Sequence, residues 1–109
     1  MSDLKLIRKA KLIEMLTETP NDVFLNFALA MEELASENLQ SAVCSFQKCI
    51  EINPNHIPAR FQLAKMAQAI GNHSQAISLL NEGIELLTAG NDRKTLNEFR
   101  ALLDEIEFS

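Results

Sequence analysis

The chain resembles itself at an offset of thirty-four residues, and that period constrains its fold more than any other feature. Set SAVCSFQKCIEINPNHIPARFQLA, from Ser41, beside QAISLLNEGIELLTAGNDRKTLNEF, from Gln75. Ala42 then matches Ala76, Val43 matches Ile77, Phe46 matches Leu80, and Ile50 matches Ile84. Asn38 and Asn72, and Glu51 and Glu85, are identical at the same offset. Upstream, Phe27 matches Phe61, Leu29 matches Leu63 and Ala30 matches Ala64. Two helices of about thirteen residues and two tight turns fill such a period. Small residues must then sit where the helices of a pair approach closely, and units of this kind draw their stability from adjacent neighbours.

The apolar spacing predicts helices throughout and shows no sustained alternation that would suggest strands. An N-terminal helix is expected over 4–18, with Ser2 or Asp3 as its cap and Leu6, Ala10, Ile13 and Leu16 near one face. The bases of LKLIRKAK read as a charged helical face. Pro20 ends this helix, since proline lacks the amide and disfavours a helical residue before it. Helices follow over 22–35 and 39–52, the latter with Leu39, Ala42, Val43, Phe46 and Ile50 inward. NPNHIP breaks the chain. Helices over 58–70 and 74–87 come next, joined by GNH, where Gly71 suits a left-handed helix end. A last helix over 92–107 spaces Leu96, Phe99 or Arg100, Leu103 and Ile106 for burial.

These residues resemble the tetratricopeptide repeat family. A first repeat over 23–56 supplies Leu29 and Ala30, Ala42, Phe46 and the closing Pro54. A second over 57–90 supplies Leu63 and Ala64, Gly71, Ala76, Leu80 and Gly83. The pattern departs at the family's tryptophan site (Asn26, Arg60), its tyrosine site (Glu33, Ala67) and its second closing proline (Thr88). The chain is also similar to small bacterial two-repeat proteins with flanking helices. The resemblance implies an all-α fold, antiparallel helix hairpins stacked as a short right-handed superhelix, in a single domain over 1–109. It also implies that the first helix of each repeat lines a concave surface. That surface would draw on Phe24, Phe27, Met31, Leu34 and Ala35, then on Phe61, Lys65, Gln68 and Ala69. Lysine–asparagine clamps that hold peptide carboxylates in some members are not matched, because Phe27, Phe61 and Met31 occupy those sites. An apolar helix or extended segment is the better expected ligand. Phe27 and Phe61 could equally be core residues, and Arg60 and Lys65 could be solvated or make polar contacts.

Cys44, Cys49 and His56 look at first like a metal or redox cluster. The two cysteines are five residues apart, roughly 140° around one helix, so they do not share a face. The spacing fits neither C-x-x-C nor a zinc knuckle. Cys49 stands opposite Gly83 in the repeat, a small and buried position, while Cys44 stands opposite Ser78 and is expected to be accessible. His56 and His73 fall in separate turns, where packing or capping is expected. No nucleophile–histidine–carboxylate set or glycine-rich phosphate loop is recognisable, so neither enzymatic activity nor a cofactor is expected.

The formal charge of −5, from fifteen acids and ten bases, argues against nucleic acid. No apolar run reaches the ~20 residues that cross a bilayer, and the N-terminus lacks a signal-peptide pattern. A cytoplasmic protein with reduced cysteines is expected. Its expected function is a non-enzymatic adaptor binding a protein or peptide segment in a concave helical groove. A homo-oligomeric unit, such as a homodimer through a shared apolar face, is the alternative, and a small metal-dependent enzyme is the remote one.

Overall fold

The computed structural model describes residues 2–108, with side chains from residue 4, and every regular element among them is an α-helix. The helices are α1 (Ser2–Glu18), α2 (Val23–Ala35), α3 (Leu39–Ile52), α4 (Ile57–Ala69), α5 (His73–Thr88) and α6 (Arg93–Phe108). The expected cap at Ser2 or Asp3 lies outside the described side chains.

Local chemistry fixes several of the boundaries. The Asp22 carboxylate accepts the Leu25 N–H at 3.0 Å and starts α2. Neutral His56 does the same for α4, its Nδ1 accepting the Ala59 N–H at 3.3 Å. Asn72 caps α5 by accepting the Gln75 N–H at 3.3 Å. Asp92 accepts the Thr95 N–H at 3.1 Å and its hydroxyl at 2.6 Å near the start of α6. Each cap satisfies amides that a helix start otherwise leaves unpaired. The turns after α2 and α4 share one hydrogen-bond pattern. Asn38 N–H reaches the Glu33 carbonyl at 2.9 Å and Glu37 N–H reaches Leu34 at 3.0 Å. One period on, Asn72 reaches Ala67 at 2.8 Å and Gly71 reaches Gln68 at 3.0 Å. This is the Schellman arrangement, with the left-handed residue at Glu37 and Gly71.

The chain divides into two compact units, one ending at Pro54 and the other starting at Asn55. In the first, α1 runs antiparallel to α2, and α2 pairs with α3. Ala30, Ala42, Phe46 and Cys49 are fully buried. Phe27 is half-buried, its ring 5.6 Å from that of Phe46. Leu39, expected inward, is 51% exposed at the first position of α3, before the helix has closed on its neighbour.

The face of α1 also differs from expectation. Arg8 Nε donates to Glu32 at 2.8 Å and Lys5 Nζ to the Ala35 carbonyl at 3.4 Å. The C-terminal end of α2 offers the Glu32 carboxylate and the Ala35 carbonyl, natural partners for cations. These contacts turn Leu12 and Leu16 towards α2 and leave Leu6, Ala10 and Ile13 outside. Of the bases, Lys5 and Arg8 thus reach the end of α2, while Lys11 is exposed.

In the second unit, α4, α5 and α6 enclose Ala64, Ala67, Ala76, Leu80, Leu87, Phe99, Leu102 and Ile106. Leu102 joins this core although its spacing did not single it out. Phe99 rather than Arg100 is the inward residue, fully buried while Arg100 is exposed. Phe99 lies against Gly83, where an added Cβ would come 2.2 Å from the ring's Cε2 atom. Glycine is thus required by packing at this point of α5.

Candidate functional site

The six residues expected at a binding surface fall on the first helices of the two repeats. On α2, Phe24 is 83% exposed and Met31, two turns later, is 37% exposed. Phe27 lies between them on the same helical face, with its ring engaged by Phe46. Spacing of i, i+3 and i+7 makes one stripe. α1 leaves both ends of that stripe open, since it packs along another side of α2. The result is an apolar tip, a half-buried aromatic floor and a flexible thioether in succession. Methionine and aromatic side chains adapt well to apolar partners.

On α4, Phe61, Lys65 and Gln68 form the corresponding series. The Phe61 ring is 5.0 Å from Phe99 and is half-buried against the core of the second unit. Lys65 is exposed, with Nζ 5.4 Å from the Phe61 ring centroid, within range of a cation–π contact. Gln68 is half-buried. This patch is more polar and less protruding than that on α2.

Polar residues replace the family's aromatics in the interior. Asn26 is buried, and its Nδ2 donates to the carbonyls of Pro20 at 3.0 Å and Asp22 at 2.8 Å. Buried Glu33 accepts the Ser45 hydroxyl at 2.6 Å. Arg60, expected in solvent or at a partner, is instead 8% exposed and pairs with Glu82 at 2.6 Å. Ser78 donates to the other Glu82 oxygen at 3.2 Å, which orients the acceptor. Burial without partners would be costly for each of these groups. Sequence spacing did place Arg60 on α4, but the reach of Glu82 on α5 is a three-dimensional relation.

Cys49 is fully buried and Cys44 is exposed, and neither forms a disulfide. Burial pushes the Cys49 thiol up to about 11. His56 is half-buried, and its desolvation lowers the imidazole below its ordinary value. His73 is exposed at the first position of α5, so the packing expected for it does not occur; the neighbouring Asn72 provides the cap. Among the described residues, no three His, Cys, Asp or Glu side chains are grouped to hold a metal ion. No described helix is long and apolar enough to cross a membrane.

The sequence profile of the tetratricopeptide repeat family matches residues 33–89. A tetratricopeptide repeat domain protein from Salinibacter ruber, determined in solution, is similar with a TM-score of 0.75 and 27% identity, covering 81% of this chain and 89% of that one. A crystal structure of such a domain protein from Salinibacter ruber gives 0.73 at 27% identity, covering 79% and 96%. The type III secretion translocator chaperone of Yersinia enterocolitica shares the fold, with a TM-score of 0.86 at 16% identity over 98% of this chain and 74% of that one. No curated protein matches the chain by sequence.

Proposed function

Because the chain belongs to the tetratricopeptide repeat family, we propose that it is a non-enzymatic interaction module that binds a protein segment on the first helices of its repeats. The fold is generally a protein–protein interaction module. The observation that carries the reading is the open stripe on α2, with Phe24 at 83% and Met31 at 37% exposure above the half-buried Phe27 ring. A protruding aromatic beside an apolar floor is the usual form of an interface anchor. A helix or extended segment with apolar side chains at matching intervals is the ligand class that suits it. Phe61, Lys65 and Gln68 form a second candidate patch on α4, suited to a segment with a carboxylate near an apolar residue. The exposed, unpaired Cys44 favours a reducing, cytoplasmic setting.

The test compares wild type with Phe24→Ala and Met31→Ala as baits in parallel affinity capture, followed by titration of the retained partner. Phe24 and Met31 are exposed, so the variants keep the fold, as circular dichroism will check. A partner held by wild type and lost by Phe24→Ala supports the reading. A partner held equally by all three baits removes the α2 stripe as the site.

A further inference from the structure

α1 differs from every other helix in burying none of its described side chains, whereas α2 to α6 each bury three or more. The fully buried residues of the first unit, Ala30, Ala42, Phe46 and Cys49, all come from α2 and α3. α1 rests on α2 through half-buried Leu12 and Leu16 and two polar ties. Both ties are exposed ones, of a kind that adds little stability. Arg8 pairs with Glu32 while its own side chain is 54% exposed, and Lys5 reaches the Ala35 carbonyl only at 3.4 Å. Nor does α1 close against α3. A groove of about 350 Å³ stays open between α1, α2 and α3, lined by Leu16, Leu29 and Lys48 in turn. A helix packed on one side only forfeits the contacts that would hold it. Its release would stop at the link, because the Asn26 amide holds the Pro20 carbonyl to α2 at 3.0 Å.

The surface beneath α1 selects what can cover it. Leu25, Leu29 and Glu32 follow at intervals of four and three, so they share one side of α2. That side ends at the Ala35 carbonyl, in the negative end of the helix dipole. Two leucines, then an acid and a carbonyl end, fit an antiparallel helix with bases first and apolar residues after them. α1 has that order, with Lys5 and Arg8 followed by Leu12 and Leu16. We propose that this side of α2 is a docking site for a basic amphipathic helix of a partner protein, and that α1 occupies it as a displaceable strap. The partner helix carries the pattern of α1, two bases three residues apart and then two bulky apolar residues four apart. Because the α2–α3 core contains nothing from α1, the exchange leaves that core intact. The site lies on another side of α2 from Phe24 and Met31 and stands independently of the reading above.

Hydrogen exchange of the whole wild-type chain tests the strap without any substitution. Central amides of α1, from Lys11 to Leu16, should exchange at least about ten-fold faster than the Phe46 amide, through a local opening that low denaturant scarcely changes. Equal protection at Leu12 and Phe46 overturns the proposal. A synthetic peptide of residues 2–18 tests the site. It is titrated into the full chain carrying Arg8→Glu and Leu12→Asp, which set α1 against Glu32 and release it. The peptide should bind saturably and shift the amide resonances of Leu25, Leu29 and Glu32. Adding Glu32→Arg to the chain should weaken binding several-fold, and a peptide carrying Arg8→Glu should recover it. Phe24→Ala should leave binding unchanged, which separates this face from the α2 stripe. No binding at millimolar peptide overturns the proposal. So does binding that Glu32→Arg leaves unchanged or that Phe24→Ala abolishes.

Discussion

Glu37 and Gly71 stand one period apart and share a left-handed backbone, with φ of 61° and 81°. At Gly71 this conformation is free of side-chain strain. At Glu37 the Cβ approaches the following carbonyl, at a cost of about 1–2 kcal/mol. Glu37→Gly should remove that strain while adding about 0.5–1 kcal/mol of unfolded-state entropy. The net expectation is a gain of about 0.5–1 kcal/mol in stability, read as a higher urea midpoint with an unchanged slope. A neutral or destabilising result would mean that the Glu37 side chain makes a compensating contribution. Gly83 presents the opposite case. Its need is steric, since a Cβ there would lie 2.2 Å from a fully buried Phe99 ring atom. Gly83→Ala should cost about 1–3 kcal/mol through overpacking. Adding Phe99→Leu should recover part of this loss, although Phe99→Leu alone destabilises. An additive double-mutant cycle would contradict direct contact as the cause.

At the scale of elements, the helices α2 to α5 were legible because each carries apolar residues at helical spacing twice, one period apart. Cys49 could be assigned to the interior because Gly83 occupies its counterpart. The inward face of α1 was not legible. Its apolar residues outnumber one stripe, and its true orientation is set by Lys5 and Arg8 meeting the end of α2. No spacing rule within α1 contains that partner. The candidate stripe on α2 was readable as a stripe, but its exposure was not, because covering Phe24 depended on where α1 lay. Asn26 is another case. It read as a departure from an aromatic pattern, yet it ties α2 to the link before it. Its amide donates to the carbonyls of Pro20 and Asp22, at 3.0 and 2.8 Å. Asn26→Ala should destabilise by about 1–3 kcal/mol through loss of the two side-chain hydrogen bonds that tie α2 to the link. Asn26→Asp should cost more, because a carboxylate only accepts and would face two acceptors. Chemical denaturation ranks them, and equal stability of Asn26→Asp and wild type would show that the link is held by other contacts.

For the molecule as a whole, these local environments shape a stability profile with two limbs. On the acid side, desolvation lowers the folded-state pKa of His56 below its ordinary 6.5, so the unfolded chain binds a proton more readily. Its contribution is complete above 6.5 and is lost as pH falls through the lowered folded value. Protonation also removes the Nδ1 lone pair that accepts the Ala59 N–H. Asp92 has the same sign at lower pH. Hydrogen bonds from the Thr95 hydroxyl and amide, together with the nearby Lys94 charge, hold it below its ordinary 3.8, so its support fades beneath that value. On the alkaline side the sign reverses. Cys49 rises from 9.0 to about 11 because burial disfavours the thiolate. The unfolded chain therefore releases its proton first, and stability declines as pH climbs from 9.0 towards 11. The thermal midpoint should thus be highest between 6.5 and 9.0. His56→Asn retains a side-chain cap without a titrating group and should flatten the first step of the acid limb. Cys49→Ala should flatten the alkaline limb while lowering the plateau through lost packing. Midpoints followed by circular dichroism across pH, for wild type and both variants, separate the two effects. An acid limb unchanged in His56→Asn would assign that limb to carboxylates alone. An alkaline limb unchanged in Cys49→Ala would show that the buried thiol does not limit stability there.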